Sequence, residues 1–341
     1  MNYKIEVLFN ESNKENIIYD DKSYYTETLY DHITISNCKI AIKGSRSKNI
    51  PIESIITNIT STLYKQILKA LVFAYMSTGT QYQILEIKLY KNINGKEMSF
   101  IENNIVQPYL RPLNREYCIV PDRLKILFSN SSKIDILLNS IILFIKGFQE
   151  NNFDYYWKSF NCLYTGISGK DKEFQKLIFI RGFIEKNQPS FRSSLDLMDK
   201  DDKNDIRSLR IRDFILNNFP TRHETEQFKE FIMRFTDYRM NQMFDEVLPY
   251  RKEFLNLEGM LADVQSHITF HKDQGLKSNE QLLCFYILKY SYYLRNKYFH
   301  AEKTVPVFIL KSNNELIELD KINQIMCTFI IDIFNCNHLY L

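Results

Sequence analysis

The chain has few of the residues that break or staple a fold. Nine glycines and 8 prolines in 341 residues argue against a collagen-like repeat or a disordered linker. Its 6 cysteines, at positions 38, 118, 162, 284, 327 and 336, stand far apart. No C-x-x-C pair occurs, which argues against a zinc ribbon. Long apolar runs are missing too. The most apolar stretch, "IDILLNSIILFIKGF", is interrupted by Asn139, Ser140 and Lys146 and is too short and polar to span a bilayer. The N-terminal "MNYKIEVLFNESNKEN" lacks the basic-then-apolar layout of a signal peptide. The expected location is therefore a reducing cytoplasm, with thiols free and mostly buried, and no membrane partner is expected. Neither sign of charge dominates. A net charge of +3 announces no nucleic-acid binder in bulk, although a local patch depends on placement and not on the sum.

What is present is globular. With 45% hydrophobic and 25% charged residues, the chain can form one large or two modest domains. The first third reads as mixed α/β. "KIEVLF" and "HITISNCKIAIKG" alternate or run apolar with β-branched residues, as strands do. Asn94-Gly95 lies between two strand-like runs, a short-range hairpin signal. "IPIESIITNITSTLYKQILKALVFAYMSTG" repeats apolar residues at helical spacing, with Pro51 near its start and Gly79 near its end. Pro108, Pro112 and Pro121 then interrupt any regular element, and a boundary is expected near residue 125.

Everything beyond reads as helix, in a bundle of about six or seven. Long single helices are expected over "DDKNDIRSLRIRDFILNNF" and "RHETEQFKEFIMRFTDYRMNQMFDEVL". Ser278 and Gln281 form a candidate capping box for "NEQLLCFYILKYSYYLRNKYFHAE", and "LDKINQIMCTFIIDIF" closes the chain. The expected fold class is α+β: an α/β domain over residues 1–125, then an all-helical domain over 126–341.

The stretch "YSYYLRNKYFHAEK" places a polar cluster on an aromatic helix. Asn296 and His300 are four apart and share a face, and the long stem of Arg295 reaches the same edge. Lys297, Tyr298 and Lys303 flank them as candidate substrate-binding residues. These groups suit cleavage of a phosphodiester without a metal. RNA carries its own nucleophile, the 2′-hydroxyl. Histidine titrates near neutrality and can move the proton, and arginine offers a fork of donors matched to phosphate oxygens. Asparagine can orient either. No carboxylate cluster stands beside them, which speaks against a two-metal nuclease, and no cofactor is expected. The plain alternative is a histidine at a helix C-terminus beside an arginine that snorkels to solvent.

An R-N-x-x-x-H motif late in a long helix of a C-terminal bundle resembles the HEPN superfamily of ribonucleases. "RNKYFH" matches that family's R-x(4–6)-H motif at its shortest spacing, with Asn296 as the preferred polar residue after the arginine. The resemblance implies a HEPN-like helical bundle and a metal-independent endoribonuclease. It places Arg295 and His300 in the active site, with Asn296 beside them. In that family two domains pack so that two motifs face one cleft. One motif per chain therefore implies a homodimer, for which Tyr290, Tyr293 and Leu294 are either the seam or bundle core. The family serves phage defence, abortive infection and toxin systems, where a joined domain often senses a trigger. By that analogy residues 1–125 would recognise a phage product, a nucleotide signal or an inhibitory partner. The family also has inactive members, so the competing expectation is a non-catalytic helical module binding RNA or a protein.

Other features carry weaker signals. His267 and His271 at i and i+4 have zinc spacing but no third ligand nearby, and two half-exposed polar histidines are the plainer reading. Arg207, Arg210 and Arg212 could touch an RNA backbone, but a solvated face laced with Asp205 and Asp213 is the simpler reading. Gly166, Gly169 and Lys170 lack P-loop spacing and read as an interhelical turn. "DYYWKSFNCLY" reads as an aromatic core stripe around Trp157, and Cys336 to His338 are too isolated for a metal site.

Overall fold

The computed structural model describes residues 1–11, 14–299, 311 and 313–341. It is an α+β protein that divides into two compact units, Met1–Gln149 with Phe334–Leu341, and Glu150–Ile333. The last strand of the sheet ends at Glu102, ahead of the expected boundary near residue 125. The compact units instead divide after Gln149, because helix Ile134–Glu150 packs with the first of them.

The first unit is built on a six-stranded antiparallel sheet: β1 (Asn2–Phe9), β2 (Ile17–Tyr24), β3 (Tyr30–Ser36), β4 (Lys39–Ser45), β5 (Ile84–Ile93) and β6 (Lys96–Glu102), in the order β2-β3-β4-β1-β5-β6. The β5–β6 hairpin turns at Asn94-Gly95, with φ of 49° and 83°, the two positive values that a tight primed turn needs. β2 was not legible in the sequence. Its acids, Asp20 and Asp21, hide a pattern in which Tyr19 and Ser23 are the buried positions. One sheet face is apolar, with Ile5, Val7, Ile33, Ile40, Ile42 and Leu89 buried completely. Helix Thr62–Thr78 packs on it. That helix begins later than its apolar spacing suggests, because Ser61 caps it by accepting from the Tyr64 N–H at 3.0 Å. Gly79, at φ 73°, ends it as expected.

The second unit is helical. Both expected long helices are broken, each by a side chain with a better use for the backbone. The first divides into Lys203–Arg207 and Ile211–Asn218, where the Arg210 N–H leaves the helical ladder and donates to the Tyr290 hydroxyl at 2.9 Å. The second divides into Thr225–Met233 and Tyr238–Val247, where Asp237 caps the new helix by accepting from the Arg239 and Met240 N–H groups at 2.8 and 3.3 Å. Helices Lys252–Leu257 and Leu261–Gln274 occupy the stretch before Ser278. Trp157, Phe160, Tyr164, Phe191 and Phe329 form one aromatic core, so the stripe around Trp157 packs as expected. Gly169, at φ 58°, makes the interhelical turn.

Asp332 is buried there and accepts from the Ser194 N–H at 2.8 Å and hydroxyl at 2.7 Å. Burial raises its carboxyl above the usual range, against the pull of those hydrogen bonds. A raised carboxylate destabilises the fold when ionised. The contribution of this group to stability is therefore most favourable below the unfolded value near pH 4 and falls as pH rises from there through the folded one. Asp332→Asn keeps an acceptor for Ser194 and is expected to flatten that fall. At pH 7 it should match or exceed wild type by about 1 kcal/mol. Urea melts between pH 4 and 7 test this, and a variant less stable at every pH would refute it.

Candidate functional site

The helix carrying Arg295 and Asn296 runs from Asn279 to Phe299. Its start is clamped by a buried ion pair. Asp237 and Arg239 are both fully buried, and the Arg239 Nη2 lies 2.7 Å from Asp237 Oδ2. Asp237 also accepts from the Ser278 N–H at 2.7 Å, and Arg239 donates to Asn279 Oδ1 at 2.8 Å. The guanidinium further holds the Met198 and Asp201 carbonyls at 2.6 and 3.1 Å. The expected capping box does not form. The Ser278 hydroxyl donates to Glu280, while Gln281 Oε1 accepts from the Thr236 N–H at 2.8 Å.

The middle of this helix, Phe285–Tyr290, is π-helical. The Ser291 hydroxyl donates to the Tyr286 carbonyl at 2.8 Å where the wider turn closes. A π turn takes up one extra residue, which rotates everything beyond it by about 100° relative to an unbroken α-helix. Polar tips pin the segment. The Tyr286 hydroxyl donates to Asp201 at 2.7 Å, and that of Tyr290 donates to the buried Glu318.

Beyond it, Arg295 and Asn296 are half-buried, and Arg295 Nη1 donates to Asn296 Oδ1 at 2.8 Å. On a neighbouring helix the buried Tyr164 hydroxyl donates to Glu173. Burial and Glu173 hold that phenol far above its ordinary value, and Arg295 opposes the shift. The flanking residues look elsewhere. The Lys297 ammonium lies 5.9 Å from the Tyr293 ring and borders a depression of about 480 Å³ with Arg210, Asp213 and Glu315. The Tyr298 ring packs against Phe153 at 6.5 Å, and burial pushes its phenol up to about 12. It lines a separate cavity of about 320 Å³ with Glu150, Asp154 and Asp320. Within one copy, Arg295–Asn296, Lys297 and Tyr298 thus address three sides of the helix. His300 and Lys303 lie outside the described residues. Tyr290, Tyr293 and Leu294 are buried at 0%, 3% and 0% exposure, which makes them core and leaves any seam between copies to other residues.

The remaining candidates are structural. Arg207 pairs with Glu246, and Arg212 lies over the Tyr250 ring at 4.5 Å. Arg210 bridges Glu315 and Glu318 at 2.7 and 2.6 Å, so Arg207 and Arg210 pair with glutamates from other helices, and no ion pair to Asp205 or Asp213 forms among the described residues for either. His267 and His271 stack edge to face at 4.4 Å, and His267 Nε2 is 2.9 Å from the Phe235 carbonyl. Burial first, then His267, lowers the His271 pKa. Among the described residues no group of three or more His, Cys, Asp or Glu is placed to hold a metal ion. No helix among them is long and apolar enough to cross a membrane. Compared with family models, curated proteins and solved structures, the chain matches none of them.

Proposed function

We propose that this chain is a metal-independent endoribonuclease of the HEPN type, acting as a homodimer in antiviral defence or as a toxin, with its N-terminal unit controlling it. The observation that carries the reading is Arg295 tethered to Asn296 at 2.8 Å near the end of a helix clamped at its start, with His300 four residues beyond Asn296 in sequence. In this mechanism the 2′-hydroxyl attacks the adjacent phosphorus while His300 handles a proton. Arg295 balances the charge that builds on the phosphate oxygens, and Asn296 holds its fork in place. The products are a 2′,3′-cyclic phosphate and a 5′-hydroxyl. The motif's partner groups come from the second copy, which suits a site whose flanking residues diverge within one copy.

The test is cleavage of total cellular RNA in excess EDTA by wild type, His300→Ala and Arg295→Ala, with product ends analysed. Wild type is expected to cut and leave cyclic phosphates. Each variant should lose at least about a hundredfold in rate while keeping its helical circular dichroism. Undiminished cutting by a folded His300→Ala preparation would overturn the assignment. Light scattering should find a dimer. A folded wild type that never cuts, even as the isolated toxic principle in cells, would instead favour the non-catalytic module.

A further inference from the structure

The sheet of the first unit has one face covered by its helix and one left open. On the open face the strand register builds something that composition conceals. Lys22 pairs with His32, His32 with Lys43, Lys43 with Lys4, Lys4 with Tyr90, and Tyr90 with Ser99. These six residues form one row across all six strands. At about 4.8 Å per strand, the four basic side chains fall within about 15 Å. No carboxylate stands in the row. Asp20 and Glu6 lie in the next row, where they hold His32 at 3.1 Å and Lys4 at 2.9 Å. Lys22 and Lys43 pair with no carboxylate among the described residues.

Aromatic rings flank the row. The Lys22 ammonium lies 4.5 Å from the Tyr30 ring, and that of Lys4 lies 5.2 Å from the Tyr90 ring. Tyr24 and Tyr30 stand 5.4 Å apart and are 44% and 36% exposed. In the same neighbouring row as Tyr24 and Tyr30, Asn2, Ser45 and Asn92 are cross-strand partners and present amides and a hydroxyl. Together these residues border a shallow depression of about 790 Å³, with one acid, Glu97, at its β6 edge.

A line of lysines and a histidine beside one exposed and one half-buried ring matches one chemistry well: phosphates spaced along a strand, with unpaired bases free to stack. A duplex hides its bases and gives the rings nothing to hold. An acidic protein would use the lysines and ignore the rings. We infer that the open sheet face binds single-stranded RNA, its backbone along the Lys22–His32–Lys43–Lys4 row, its bases on Tyr30 and Tyr90, and its 2′-hydroxyls toward Asn2, Ser45 and Asn92. This goes beyond the nuclease reading and does not rest on it, because it stands on the first unit alone.

The experiment is fluorescence anisotropy of the full chain carrying His300→Ala, with a labelled twelve-nucleotide single-stranded RNA in EDTA. That background keeps the probe whole if the chain cuts RNA, and the substituted residue belongs to none of the sheet's strands. Tyr30→Ala and Tyr90→Ala are each expected to weaken binding about tenfold. Lys43→Glu should weaken it further, and Lys43→Arg should bind as the parent does. The slope of log affinity against log salt should be about −2, from three lysines on a single strand. DNA of the same sequence should bind several-fold more weakly, and duplex RNA should compete poorly. Absence of binding at micromolar protein would overturn the inference, as would equal affinity for DNA. So would loss of binding with Lys43→Glu but not with Tyr90→Ala, which would mark the face as one for an acidic partner. Thermal melts within about 2 °C of the parent confirm that these exposed substitutions leave the fold intact.

Discussion

Replacing Asp237 by alanine is expected to cost the helical unit about 3–5 kcal/mol. The reason is what remains behind. Arg239 is fully buried, and among the described residues Asp237 is the one carboxylate in an ion pair with it, so the alanine variant keeps a buried guanidinium without its paired carboxylate. The backbone loses as well. Asp237 caps the helix starting at Tyr238 and receives the Ser278 N–H, so two helix starts are left with open donors. A melt of the full chain should show the transition of the helical unit falling by about 10 °C or more. A double variant, Asp237→Ala with Arg239→Met, separates the causes. It removes the stranded charge and should recover most of the loss, leaving about 1–2 kcal/mol for the missing caps. If Asp237→Ala melts within about 1 kcal/mol of wild type, the ion pair is not what holds the start of the Arg295 helix. If the chain cuts RNA as proposed, cleavage gives a second readout. The clamp lies at the far end of the helix from Arg295, so a variant that is folded at low temperature should lose activity as it is warmed toward its lowered transition.

That clamp shows where sequence reading stops. The hairpin at Asn94-Gly95, the glycine stop at Gly79 and the aromatic stripe around Trp157 are local, and a few adjacent residues specify each of them. The break at Asp237 was in principle legible, since an aspartate after threonine is a cap signal. The apolar spacing on both sides ran through it and suggested one long helix. The π turn had no signal at all. Phe285 to Tyr290 are apolar or aromatic at every position but Lys289, so their pattern is the same for either winding. What chooses the wider turn is tertiary: Asp201 on Tyr286 and Glu318 on Tyr290. The candidate site was legible as a motif and not as a cleft. Spacing put Arg295 beside Asn296, but it could not say that Lys297 and Tyr298 face different cavities. The basic row on the sheet was invisible for another reason. Lys4, Lys22, His32 and Lys43 are spread over forty residues with acids between them, and only the strand register selects the cations into one line.

Gly44→Ala is expected to be as damaging to the first unit as Asp237→Ala is to the second. Gly44 lies opposite Asp31 on β3 and Tyr3 on β1, on the covered side of the sheet. A Cβ placed there would stand 1.7 Å from Asp31 Oδ1. A flexible acid would swing away at little cost, but this one cannot. Both oxygens of Asp31 are held by Arg46 at 2.7 Å, the Tyr25 hydroxyl donates to it at 2.6 Å, and Asp31 is fully buried. The methyl must therefore either break a buried bidentate pair or push two strands apart, at a cost of about 3 kcal/mol or more. The predicted signature is non-additivity. Asp31→Ala alone strands Arg46, whose side chain is 11% exposed, and is expected to cost about 3 kcal/mol. Adding Gly44→Ala to that background should cost less than about 1 kcal/mol, because the atom it would strike is gone. Simple addition of the two losses in urea melts would refute this account of the glycine. The same variant bears on the open face, since β3 and β4 carry His32 and Lys43 one residue away from Asp31 and Gly44. If the row binds RNA as inferred, Gly44→Ala should weaken the RNA even under conditions where the sheet stays folded. Lys43→Arg, which leaves the register untouched, should not.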